Sequence, residues 1–170
     1  MIVLGIDPAI RTTGYGVIRA DISVGSGMEI VDCGVICNKQ SMPHTECLRR
    51  LFGGISELIN LYHPDCAVLE EPFVGKNAKT AIILGMARGG ILSALAQHNI
   101  PAYAYNPTVA KRAATGSGGA EKSRIAFILA AEFGIATEDI PLDSTDALAL
   151  AMCHIQRLRH PALNGIGKQL

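Results

Sequence analysis

The chain opens on a near-continuous apolar run, MIVLGID, that ends in an acid. A run without polar alternation predicts a strand buried on both faces, near the middle of a sheet. PAIRTTG then supplies turn chemistry, and YGVIRAD and MEIVDCGVIC read as two further strands joined closely enough to form an antiparallel meander. In HTECLRRLFGGISELINLYH the rhythm changes: Cys47, Leu48, Leu51, Ile55, Leu58 and Ile59 fall at helical spacing. After HPD, the segment CAVLE is again a buried strand. A long helix over about residues 77–97, a short strand AYAY and a helix opened by NPTVAKR come next. The glycine-rich loop GSGGAEK, a helix reaching Phe133 and a last helix starting near Asp143 complete the pattern. Three consecutive strands followed by alternating helices and strands predict one α/β domain over residues 1–160, a five-stranded mixed sheet flanked by helices. Residues 161–170 read as a flexible C-terminal tail.

The predicted helix at 77–97 is apolar nearly all round, yet it contains Gly85, Gly89 and Gly90. Glycine costs helix stability, so its repeated use implies close approach by another element. The sheet covers one side. Another helix of the same chain or a symmetric partner subunit would cover the other, and the small number of remaining helices favours the partner.

Composition narrows the setting. With 170 residues, 49% hydrophobic and 18% charged, the chain has enough core to fold without disulfides or a structural metal. Its first residues lack a basic region and reach Asp7, and its longest apolar stretch is interrupted by Arg88, so neither a signal peptide nor a membrane span is expected. Five cysteines with no CxxC pair suit a reducing cytoplasm and act as packing residues. A zinc site from Cys33, Cys37, His44 and Cys47 would match no common finger spacing. The formal net charge is zero, but the charges are segregated. Residues 72–131 hold seven basic side chains against Glu121 alone, and residues 132–146 hold five acids and no base. That is either a local anion-binding face beside an acidic pocket or blocks that average out on folding.

The segment VLEEPFVGKN raises the question of chemistry, because a buried strand there runs into Glu70 and Glu71 and then Pro72. If IVLGID and CAVLE are neighbouring parallel strands, joined by a right-handed crossover, Asp7 and Glu70 lie at one edge, where α/β sheets place their sites. Asp143 and Asp146, spaced i, i+3 in PLDSTDALALAMCH, share one face at a helix start. One such Asp is an ordinary cap; two aimed at a strand edge with further acids are not. Clustered carboxylates repel, and a divalent cation relieves the conflict. Oxygen ligands point to Mg²⁺ or Mn²⁺, and two such ions about 4 Å apart support in-line attack of water on a phosphodiester. Alternation puts Glu70 and Glu71 on opposite faces, and Glu70 is the favoured ligand.

LGIDPAIRTTGYGVI, LEEPFVGKNAKTAIILGMARGG, GSGGAEKSRI and DSTDALALAMCH, four motifs in order over nearly the whole chain, resemble the RuvC family of Holliday junction resolvases. The resemblance implies a ribonuclease H-like fold, a homodimer, and paired symmetric nicks in four-way DNA junctions during recombination and repair. It also implies metal-ligand acids at Asp7, Glu70, Asp143 and Asp146, with two Mg²⁺ per subunit. Phosphate-contacting lysines fall on Lys111 and Lys122, a wedge aromatic on Phe73, and the dimer interface on the glycine-containing helix. RuvA and RuvB are the partners implied by family. The sequence departs from the pattern at Ala9, where glycine is usual, at Pro72, and in a glycine loop without its common arginine. Ala9 requires a backbone of negative φ beside Asp7.

Two other readings have support. DPAIRTTGYG is also similar to the phosphate loop of the actin and sugar-kinase ATPases, which need two such domains. A non-catalytic junction-binding dimer is the other, and it leaves the intact acids without a task. His154 reads as a packing residue or a neighbour of the ligands rather than as a ligand itself.

Overall fold

The computed structural model describes residues 1–22, 27–72, 77–160 and 167–170. Strands β1 (Ile2–Asp7), β2 (Thr12–Ala20) and β3 (Met28–Cys37) form the expected antiparallel meander. Helix α1 (His44–Tyr62) crosses to β4 (Cys66–Glu70), which pairs in parallel with β1. Helix α2 (Ala78–Gln97) then crosses to β5 (Ala102–Tyr105), parallel to β4. Helices α3 (Pro107–Thr115), α4 (Lys122–Phe133) and α5 (Thr145–Arg159) follow.

The sheet has six strands in the order β3-β2-β1-β4-β5-β6, which corrects the expected five. The sixth, β6 (Lys168–Gln169), pairs antiparallel with β5, and Leu170 N–H donates to the Ala102 carbonyl at 2.9 Å. Two polar residues near a chain end carry no apolar periodicity, so nothing in the pattern marked them as a strand. Residues 161–166 of the expected tail lie outside the described residues.

Strand alternation divides the core in two. Leu4, Ile6, Ala67 and Leu69 face α1 and α2, while Val3, Cys66 and Val68 face α3, α4 and α5. The same alternation sends Asp7 and Glu70 toward α5 and Glu71 toward α2. Helix α2 is long and apolar enough to cross a membrane by length and composition; here it packs on α1 and the sheet through Ala87, Ile91, Ala94 and Leu95. Its other face is bare. Ile82 is 65% exposed, and a Cβ at Gly85 or Gly89 would meet nothing within 4 Å. A Cβ at Gly90 would stand 3.4 Å from Leu48 of α1, whereas the close approach expected at Gly85 and Gly89 is not made by the described residues of this chain.

Candidate active site

Two parallel strands end side by side, with Ile6 opposite Leu69 and the acids Asp7 and Glu70 one residue further on. The other two acids arrive from above. A 3-10 turn at Leu142–Ser144 carries Asp143 and runs into α5, whose first turn carries Asp146. The expected shared face is thus built by a tight turn continued as a helix. Thr145 Oγ1 donates to the Leu142 carbonyl at 2.8 Å and Ser144 Oγ to that of Pro141 at 2.7 Å, holding the turn closed.

Glycine lets α5 come this near. Gly14 lies opposite Asp7 across the β1–β2 ladder, and a Cβ on it would stand 1.8 Å from the Asp143 carbonyl oxygen. A Cβ on Gly5 would stand 1.9 Å from the Ala147 carbonyl oxygen. No methyl group fits in either gap, so both positions are closed to side chains. Read from the sequence, GID and TTGYG are strand and turn chemistry and this role is missed; an isolated glycine inside a strand is the signal of close approach.

Each lysine expected at the site meets an acid. Lys111, from α3, lies 3.4 Å from Asp146 Oδ1, and Lys122, the first residue of α4, donates to Asp143 Oδ1 at 2.7 Å. The Lys111 approach is a charge contact without hydrogen-bond alignment, since Asp146 Oδ1 is buried and has no hydrogen-bond partner among the described residues. Burial, with Glu70 and Asp146 nearby, pushes the Asp7 carboxyl up to about 7, against the opposing pull of Lys122. Glu70 is raised by burial and by Asp146, with Lys111 and Arg88 opposing. Burial disfavours the Lys122 ammonium, but Asp143, Asp146 and Asp7 outweigh it and leave its pKa raised.

Strand alternation turns Glu70 to the α5 side, where its charge acts on Asp7, and turns Glu71 to the α2 side. Phe73 lies outside the described residues. Ala9 is not among the residues of positive φ, so alanine is accommodated there; Thr13 bonds both its N–H and its carbonyl. His154 sits deep under the sheet, its Nδ1 2.9 Å from the Tyr105 hydroxyl and its ring 4.6 Å from that of Tyr103, and burial pushes its pKa down to about 4.

The donor set fits a divalent cation. It is all oxygen, one buried carboxylate oxygen lacks a hydrogen bond among the described residues, and burial together with its acidic neighbours holds Asp7 part-protonated near neutrality. Among the described residues no three potential ligands converge tightly enough to enclose an ion as they stand, with two of the four acids drawn to lysines.

Comparison with known proteins places this arrangement. Residues 3–154 match the family profile described as crossover junction endodeoxyribonuclease RuvC. A protein of that name from Chloroflexus aggregans is 44% identical over 89% of this chain and 90% of its own length. Another, from Caldicellulosiruptor saccharolyticus, is 41% identical over 91% and 92%. The solved structure of Thermus thermophilus RuvC in complex with Holliday junction substrate superposes with a TM-score of 0.86 at 28% identity, covering 100% of this chain and 99% of that one. With its ribonuclease H-like sheet and intact acidic cluster, the chain belongs to the RuvC family of crossover junction endodeoxyribonucleases.

Proposed function

We propose that the chain cuts four-way DNA junctions by hydrolysis at the Asp7, Glu70, Asp143 and Asp146 cluster, with two Mg²⁺ ions per subunit that Mn²⁺ can replace. The observation that carries this is the grouping of Glu70, Asp143 and Asp146 near Asp7, at the edge where the parallel strands end, with Lys122 paired to Asp143 and Lys111 beside Asp146. The ions, when bound, supply an activated water and stabilise the leaving oxygen. The protein's part is to hold them and to orient the phosphate. Asp7 and Glu70 hold them from the sheet, and Asp143 and Asp146 from the turn and first helical turn above.

Lys111 and Lys122 are counter-charges that exchange partners. Were cations held by the carboxylates, the two ammoniums would be free to face the scissile phosphate and offset its developing charge. Lys122 also opens α4, a 12-residue helix whose first N–H groups favour an anion. Phe73, two residues after Glu71, supplies an aromatic surface for unstacked bases at the junction centre.

Paired nicks require two active sites, and the bare face of α2 around Ile82, Gly85 and Gly89 is the surface for a second copy. Branch-migration proteins of the RuvA and RuvB type, in the cytoplasm, are the partners that would present such junctions.

The test is a mobile junction labelled on each strand in turn and resolved on a denaturing gel. Symmetric nicks on opposing strands that need Mg²⁺ are expected. Asp7→Asn should bind the junction at least as well as the wild type and cut at least 10²-fold more slowly. Undiminished cutting by that variant would overturn the cation-site assignment.

A further inference from the structure

Arg88 is an anomaly in α2: a guanidinium, 9% exposed, in the middle of an apolar helix. Burying it costs free energy that a methionine of similar length would not. Its Nη1 donates to the main-chain carbonyl of Glu70, while its Nη2 is buried with no hydrogen-bond partner among the described residues. Arg88 shares the wall of a cavity of about 90 Å³ with Asp7, Glu70 and Glu71.

The carbonyl that Arg88 takes belongs to the peptide unit between Glu70 and Glu71. Glu70 lies one residue beyond the last β1–β4 pair, and Pro72 just ahead has no N–H to continue a ladder. At the other end of the same peptide unit, Glu71 N–H donates to the Tyr105 carbonyl at 2.8 Å. The unit is therefore held at both ends, by β5 through its N–H and by α2 through its oxygen. Its orientation decides which face of the sheet each glutamate takes.

We infer that Arg88 is a positioning residue: by fixing the peptide plane between Glu70 and Glu71, it aims the Glu70 carboxylate at the cation-holding cluster and braces it on α2. The inference rests on the reading of Glu70 as a cation-holding group. Arg88 touches no reacting atom. It acts at one remove, as the partners of metal-holding side chains do, and such partners are commonly worth tenfold to a hundredfold in metal affinity or activity. Because the same helix carries the bare Ile82 and Gly89 face, the brace also links Glu70 to whatever covers that face.

The full chain is tested as wild type, Arg88→Met, Arg88→Lys and Glu70→Gln. Mn²⁺ binding without DNA is read by calorimetry, and single-turnover junction cleavage is followed across Mg²⁺ concentrations. Arg88→Met is expected to weaken Mn²⁺ binding about tenfold and to slow cleavage by about tenfold to a hundredfold. Raised Mg²⁺ should recover part of the rate, with junction affinity within about twofold of wild type. Arg88→Lys keeps a donor and the charge and should fall between; it also serves if the methionine variant does not fold. Wild-type Mn²⁺ affinity and Mg²⁺ dependence in both Arg88 variants, with Glu70→Gln losing both, would overturn the inference. Wild-type behaviour in Glu70→Gln would instead overturn the reading of Glu70 on which it stands.

Discussion

Asp7 is where burial and charge meet most sharply. Its carboxyl is held near 7 by desolvation and by Glu70 and Asp146, so the folded chain binds that proton more tightly than the unfolded chain, whose value is 3.8. Stability contributed through this group therefore falls as pH rises from about 4 to about 7. Asp7→Asn removes the ionisable group. In EDTA, the unfolding free energy of the variant relative to wild type should climb across that window and reach a gain of roughly 1–3 kcal/mol near pH 7.5. Mg²⁺ should erase much of the gain by stabilising the wild type alone. A difference that stays flat with pH would show that Asp7 titrates as an ordinary exposed acid. Lys122 poses a complementary test. Exchange of its partner from Asp143 to phosphate predicts that Lys122→Ala slows cleavage and reduces the salt slope of junction binding by about one unit. An unchanged slope would return it to a surface ion pair of little consequence.

At the scale of elements, what was legible depended on whether an element writes its own period. The apolar runs of β1 and β4 ended visibly on Asp7 and Glu70, and the crossover rule alone set those ends side by side. Asp143 and Asp146 showed their common face by spacing, although a 3-10 turn rather than a continuous helix provides it. Contacts between residues far apart in the chain left no such mark. Arg88 read as a break in an apolar helix, and its bond to a carbonyl 18 residues away has no period. β6 was invisible because two polar residues gain their partners only from β5. Gly14 read as part of a turn, yet it sets the height of the 3-10 turn above Asp7. Gly14→Ala should accordingly lift Asp143 from the cluster, costing about 1–3 kcal/mol of stability and lowering the cleavage rate. Gly53→Ala in α1, where a Cβ meets nothing within 4 Å, is the control and should be neutral or stabilising by up to about 1 kcal/mol. Equal effects at the two glycines would mean that α5 does not depend on the gap at Gly14.

For the molecule as a whole, the sheet separates two tasks. The acids and lysines gather on the α5 side of the strand ends, and α2 covers the opposite face while leaving its own outer surface bare. An apolar helix with an isoleucine 65% exposed and two glycines open to solvent is costly for a chain that works alone. Small residues in a row let a symmetry-related helix approach closely, and a two-fold contact uses the same patch on both copies. Sedimentation should then give a particle of twice 18.0 kDa for the wild type. Ile82→Glu should give single chains of little-changed melting behaviour in dilute solution, because Ile82 is 65% exposed and lies outside the buried core. Cleavage of the junction should drop, and any remaining nicks should become unpaired, since each chain retains its acids but not its twin. A wild type that sediments as a single chain, or a variant that still pairs its nicks, would move the second subunit to another surface and leave the bare face of α2 to a different partner.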